Sequence, residues 1–238
     1  MDNLQKVFFD ACPNRSKSLQ IWTCEGNRAC AKFGKLCVNN FDTDGNGWLS
    51  YDDVANVTSI TNVFYGNPEI EYFPELNSFT SVTKLGDNSF GNCSNLKEVG
   101  LDNITIIDRT SGSGALFNSG VEMAIMPNIV NVGNYSFRQC RSLHSVYAGA
   151  NCNNIGFWAF GDCSNLQRLV CMATTPPTID DAAFIYSTFH YGNGDIYVPN
   201  ASVDAYKSAW GKFADMIKGI SELPTDTEFY NKISKYLK

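Results

Sequence analysis

The chain has 238 residues, 44% hydrophobic and 18% charged, a composition that belongs to a folded protein and excludes a disordered one. Its net charge of −6, with no cluster of Lys or Arg, would repel a phosphate backbone, so nucleic acid is not an expected partner. No apolar run is long enough to span a bilayer, so no membrane span is expected.

Residues 1–35 form a Cys-rich N-terminal extension. The opening stretch MDNLQKVFFDACPNRSKSLQ lacks the charged start, apolar core and cleavage site of a secretory signal. Export is therefore expected from a signal removed from this sequence, or by another route. Cys12, Cys24, Cys30 and Cys37 admit three disulfide pairings. Zinc is the weaker reading, because no Cys-x-x-Cys pair and no nearby His accompany them. Free thiols are the third.

Residues 36–64 are read as an N-terminal cap built around a calcium-type loop. Asp42-Thr-Asp44-Gly-Asn46-Gly47-Trp48-Leu49-Ser50-Tyr-Asp52-Asp53 fits the EF-hand frame. Asp42, Asp44 and Asn46 supply oxygens at positions 1, 3 and 5, and Gly47 allows the sharp turn. Trp48 would offer its carbonyl, Ser50 would act through water, and Asp53 stands where a bidentate Glu is usual. The expected metal set is Asp42, Asp44, Asn46, Trp48, Ser50 and Asp53, with calcium in a structural role. The alternative is a polar Asx-type turn without metal. Short helices are expected over 31–40 and 51–58.

Residues 65–198 carry a repeat. Ser89-Phe90-Gly-Asn-Cys93-Ser-Asn-Leu96-Lys-Glu-Val99 aligns with Ser136-Phe137-Arg-Gln-Cys140-Arg-Ser-Leu143-His-Ser-Val146 and with Ala159-Phe160-Gly-Asp-Cys163-Ser-Asn-Leu166-Gln-Arg-Leu169. A further copy is placed at Leu116-Phe117-Asn-Ser-Gly120-Val-Glu-Met123-Ala-Ile-Met126, and a degenerate one starts at Ala183-Phe184. Units this short cannot bury a core alone, so stacked coils are expected, with Phe, Cys and Leu forming internal ladders. The Leu-x-x-Val segment suits a short parallel strand. Ile104/Ile106, Ile129/Val132 and Ile155 would supply a second strand per coil. Cys93, Cys140 and Cys163 then read as small buried groups, with Gly120 in the same slot. The run Thr110-Ser-Gly-Ser-Gly-Ala115 reads as an exposed, flexible connection.

Residues 199–238 are read as a helical C-terminal cap and tail. Val203, Tyr206, Trp210, Phe213, Met216 and Ile217 recur at helical spacing. After Pro224, a second short helix would place Phe229, Ile233 and Leu237 on one side, docked on its own chain or on a partner.

The frame Phe-x-x-Cys-Ser-x-Leu, with the ending Ile196-Tyr-Val-Pro199-Asn200-Ala-Ser202 through Met216-Ile217, resembles the BspA-like leucine-rich repeat proteins over about residues 36–222. The fold class expected is a mainly β solenoid of BspA-type leucine-rich repeats with short parallel strands, an EF-hand-like N-terminal loop and an α-helical C-terminal cap. The resemblance implies an extracellular, adhesive or host-recognising role without catalysis.

No catalytic constellation competes. The chain has two His, His144 and His190. A Cys140/His144 dyad would need a core residue and a strand residue on one face. The expected partner is a protein or glycan on a cell surface. The alternative is a structural or receptor-binding component of a phage tail or virion. Lys97, Glu98, His144, Gln167 and Arg168, on the strand face, are the first candidates for ligand contact.

Overall fold

Short apolar segments recurring every 21 to 26 residues cannot form long helices or wide sheets, and in this chain they wind into a ladder of coils. The computed structural model describes residues 28–47 and 49–237, with side chains from residue 34. Helix α1 (Arg28–Phe41) and helix α2 (Tyr51–Ala55) flank the acidic loop. Twelve short strands follow among the described residues: β1 (Tyr72–Phe73), β2 (Lys84–Leu85), β3 (Glu98–Val99), β4 (Ile106–Ile107), β5 (Met123–Met126), β6 (Asn131–Val132), β7 (Ser145–Ala148), β8 (Asn154–Ile155), β9 (Arg168–Cys171), β10 (Thr178–Ile179), β11 (Asp195–Val198) and β12 (Ile217–Gly219). Helices α3 (Val203–Ala209) and α4 (Glu228–Ile233) close the chain.

Every strand pairing is parallel. One sheet runs β2-β4-β6-β8-β10 and the other β5-β7-β9-β11-β12, with β1 and β3 paired beside the latter. Two strands per coil is the expected arrangement, and no α-helix interrupts residues 65–195.

The inner column is Phe64, Phe90, Leu116, Phe137, Phe160 and Phe184, all buried. Phe64 stacks on Phe90 at 5.2 Å, Phe137 on Phe160 at 5.3 Å and Phe160 on Phe184 at 5.3 Å, with interplanar angles of 8–9°. Such pairs contribute about 0.5–1.5 kcal/mol each beyond the area they bury. The column corrects the expected alignment of the second copy. Phe117 is only partly buried, and Leu116 takes its place. The backbone fixes this register: Phe90 N donates to Ala115 O and Leu116 N to Ser136 O, as Phe137 N does to Ala159 O.

Ser119, not Gly120, therefore occupies the slot of Cys93, Cys140 and Cys163. The turn that follows is one residue shorter in this copy, so Val121 rather than Met123 holds the leucine position. Ala124 then stands beside Val146. Gly120 is small for a different reason: a Cβ there would run into the Ser94 carbonyl.

The slot does more than fill space. Cys93 Sγ donates to Phe64 O at 3.0 Å, Cys140 Sγ to Leu116 O at 3.0 Å and Cys163 Sγ to Phe137 O at 3.1 Å. Each thiol ties its coil to the one before. Burial pushes the Cys93 thiol up to about 12 and that of Cys140 to about 11, so neither is a nucleophile at neutral pH.

A sixth coil precedes those expected. Phe64-Tyr65-Gly66-Asn67-x-x-Ile70-x-x-Phe73 follows the same frame, and Gly66 N donates to Gly91 O as Asn92 N does to Phe117 O. The expected start at residue 65 cuts through this coil. Its open end is covered by α1, whose Phe41 lies 5.2 Å from Phe79 and 6.2 Å from Phe64.

The other end is closed by Tyr206, Trp210, Phe213 and Met216, all buried. Trp210 Nε1 donates to Pro177 O at 2.9 Å, and Phe213 meets Phe184 edge-on at 5.4 Å. The expected continuous helix does not form. Its aromatic stripe is carried by α3, by Trp210 at the C-cap of that helix and by a run of tight 3₁₀ turns over Gly211–Met216. Ile217 then enters β12, which pairs with β11 and extends the sheet past the last repeat.

Candidate functional site

The acidic loop brings three carboxylates together. One oxygen each of Asp42, Asp44 and Asp53 lies within 4.8 Å of the others. Gly45 and Gly47, with φ of 72° and 89°, let the backbone fold back so that their N–H groups donate to Asp42 at 2.8 and 2.7 Å. These bonds, Gly47 first, hold the Asp42 carboxyl below the ordinary range. Asn46 donates through its backbone and its side chain to Asp44.

Asp53 is held differently. Ser50 is the N-cap of α2 and forms a reciprocal capping box with it. Ser50 N and Oγ donate to one Asp53 oxygen at 2.8 and 2.6 Å, and Thr43 N and Oγ1 to the other at 3.0 and 2.6 Å. Burial raises the Asp53 pKa, but these donors outweigh it and leave it at about 2. Four donors fill the roughly four lone-pair sites of a carboxylate. Bidentate binding of an ion by Asp53 would therefore require Ser50 or Thr43 to turn away. Of the six residues expected to hold calcium, Asp42, Asp44, Asn46, Ser50 and Asp53 line this loop, and Trp48 lies outside the described residues.

Of the four N-terminal cysteines, Cys37 is a buried free thiol on α1. Cys12, Cys24 and the side chain of Cys30 lie outside the described residues.

The strand face holds the five expected contact residues, but it is not an open surface. The outward row Ile125–Tyr147–Val170–Tyr197 is apolar. Leu223, Phe229 and Ile233 pack onto it, making a second buried cluster apart from the coil interior. Helix α4 is started by Thr227, whose side chain accepts from Tyr230 N. The tail is also fastened by charge: Lys232 Nζ reaches Glu98 Oε2 at 2.7 Å and Lys235 reaches Asp102 at 4.0 Å. Tyr236 stacks on Tyr147 at 5.6 Å.

This cover engages two of the five candidates directly. Glu98 is an ion-pair partner of the tail, and Arg168 lies over the Phe229 ring at 5.8 Å. Lys97 and Gln167 remain exposed at the rim, and His144, half-buried, shares a 3.0 Å hydrogen bond with Ser145 Oγ. Between the tail and strands β3 and β5 lies a cleft of about 390 Å³, lined by Lys97, Glu98, Met123, Lys232, Lys235 and Tyr236 among others. The last three were missed from sequence, because a terminal helix does not announce its docking site.

The Thr110–Ala115 connection is less loose than expected. Asp87 accepts from Thr110 N at 2.9 Å, Thr110 Oγ1 at 2.6 Å and Ser111 N at 3.1 Å, which latches the loop onto the preceding coil. Burial works against the Asp87 carboxylate, yet these bonds hold its pKa below the ordinary range. Among the described residues no helix is long and apolar enough to cross a membrane.

Comparison with known families agrees with this geometry. A family model described as BspA type leucine rich repeat region matches residues 57–190 in six copies, more than half of the chain. The six copies correspond in number to the six rungs of the inner column. A search of curated proteins finds no matching relative.

Proposed function

Because the chain belongs to the BspA-type leucine-rich-repeat family over residues 57–190, we propose that it is a non-catalytic adhesion or recognition protein acting outside the cell or at its surface. The observation that carries this reading is a rigid stack of six coils closed at both ends. Such a stack presents long outer faces and edges to a partner. The thiols of its repeat slot, Cys93, Cys140 and Cys163, are tied up in coil-to-coil bonds, and burial raises their pKa values, so they are poor nucleophiles.

The partner is a protein or glycan on another surface. Binding of the labelled intact chain to intact cells tests this. Saturable binding competed by unlabelled chain supports it, and non-saturable binding at every concentration contradicts it. A virion role would rest on the Cys-rich extension over 1–35, most of which lies outside the described residues, and on the terminal helix, which packs on its own chain.

We propose further that the acidic loop holds a calcium ion that stiffens the N-terminal cap. Three ionised carboxylates within 4.8 Å repel one another, and a divalent cation would relieve that repulsion. The capping box of α2 offers the rival account, a turn complete without metal. Thermal unfolding separates the two. With calcium bound, excess chelator lowers the midpoint by several degrees. Identical midpoints in chelator and in millimolar calcium leave the turn as the whole explanation.

A further inference from the structure

We infer that one edge of the solenoid, over its last three coils, is a binding platform for a neutral polysaccharide. This rests on the recognition reading above and names the surface and the partner class for it. The edge is built from two columns of turn residues with left-handed backbone. In the second column Gly66, Asn92, Asn118, Gln139, Asp162 and Tyr186 have φ between 52° and 66°. In the first, Asn62, Asn88, Tyr135 and Trp158 have φ between 55° and 61°. Gly and Asn adopt this conformation readily, whereas bulky side chains are strained in it. The first coils follow that rule. Their amides also bond along the columns, Asn88 to Asn62 at 3.0 Å and Asn118 to Asn92 at 2.8 Å.

The last coils break it. Tyr135, Trp158 and Tyr186 accept the strained backbone, and none of the three is buried in return. Strained residues that folding does not demand cluster at functional sites. Together with Phe157, His190 and Tyr191 they make an unbroken run of rings. Tyr135 lies 5.4 Å from Phe157 and 6.3 Å from Trp158, and Trp158 lies 5.9 Å from Tyr186. Tyr186 meets His190 at 5.8 Å, and His190 meets Tyr191 at 4.9 Å. Phe157, Tyr186 and Tyr191 are 38%, 50% and 66% exposed.

The charges beneath this run are engaged with one another and with the rings. Arg109 sits 4.2 Å over Tyr135 and also bonds Gly112 O. Arg138 sits 4.7 Å over Trp158, with Asp162 at 4.0 Å. Both guanidiniums lie against ring faces, and Arg138 is partly offset by Asp162, so neither stands out into solvent as an isolated ionic anchor. A protein partner would normally cover a much broader patch, about 800 Å² on each side. A narrow run of rings that continues from coil to coil, one in the first, two in the next and three in the last, suits a linear polymer laid along the edge. Pyranose rings supply flat C–H faces for stacking, and their hydroxyls suit the bordering amides of Asn134 and Asn193, both exposed.

Affinity electrophoresis of the intact chain tests this, in native gels containing hydroxyethylcellulose, galactomannan, xyloglucan, laminarin or soluble starch. At least one of these is expected to retard the wild type. The double variant Trp158→Asn/Tyr186→Asn restores the residue type of the earlier coils at both left-handed positions and is expected to fold normally. It should weaken retardation at least tenfold. Phe157→Ser, at an exposed position without left-handed backbone, should weaken it severalfold and serves if the double variant does not fold. Failure of every polysaccharide to retard the wild type overturns the inference, as does full retardation of the folded variants. Saturable cell binding that persists in the double variant, and disappears when the target cells are treated with protease, would overturn the glycan platform while leaving the recognition reading intact.

Discussion

The two sheets of the solenoid share one interior and differ on their outer faces. On the sheet of two-residue strands the outward row is mostly polar. Asn154 Nδ2 donates to Asn131 Oδ1 at 2.6 Å and Thr178 Oγ1 to Asn154 Oδ1 at 3.0 Å, an amide and hydroxyl ladder. On the sheet of longer strands the outward row is Ile125, Tyr147, Val170 and Tyr197, and the chain's own tail covers it. A solenoid face can meet water directly if its side chains bond along the ladder. An apolar face needs a second layer, supplied here by residues 223–237. The difference decides where a partner can bind, since the covered face is available only if the tail leaves it.

Removing the tail should be the largest perturbation. Truncation after Leu223 is expected to expose the Tyr147–Val170–Tyr197 row and to cause aggregation or binding of a hydrophobic dye. The single change Phe229→Ala should cost about 3–5 kcal/mol in denaturant unfolding, the range for large aromatic truncations in a core. The opposite sheet has no such dependence: Asn154→Ala breaks two ladder bonds and should cost about 1–2 kcal/mol. Equal effects from the two substitutions would erase the contrast between the faces.

The interior common to both sheets gives a sharper pair. Leu116→Ala should cost about 2–5 kcal/mol, whereas Phe117→Ala, at a half-buried position over which Arg138 sits, should cost under about 1.5 kcal/mol. The reverse order would restore Phe117 to the inner column and undo the register described above.

The smallest effect concerns pH. The carboxyls of Asp53 and Asp87 have folded-state pKa values below their unfolded ones. Their stabilisation is therefore present above about pH 4 and is lost as pH falls toward 2. Asp53→Asn should flatten the acid limb of the stability curve between those values, and it should lower stability at neutral pH by about 1 kcal/mol through loss of the capping box. An unchanged acid limb would show that the Ser50 and Thr43 bonds do not hold the ionised form.

Much of this was legible in the sequence. The Phe-x-x-Cys-x-x-Leu frame announced the repeat, and its matches at Phe90, Phe137 and Phe160, with the degenerate copy at Phe184, all lie in the inner column. The second copy misled because Leu116 and Phe117 are adjacent and the larger residue fits the frame by type. Only the carbonyl that each N–H meets in the next coil decides between them. The first coil was hidden by Asn67 in the thiol slot and Ile70 for leucine. The covered face had left a trace. Segments such as Val146-Tyr147-Ala148, Leu169-Val170-Cys171 and Ile196-Tyr197-Val198 are apolar without alternation, the pattern of strands buried on both sides. What no local pattern could give was the identity of the cover, because an amphipathic terminal helix specifies an apolar partner and not its address.

The contrast between the two faces depends most directly on the tail being part of the folded unit. Amide hydrogen exchange of the intact chain, read by peptide, measures this. Peptides over 228–237 should be protected at a level approaching those over β7 and β9, and removal of the tail should speed exchange in both strands. Tail amides exchanging like those of a free peptide beside fully protected strands would contradict it, and the long-stranded sheet would then be an open binding face.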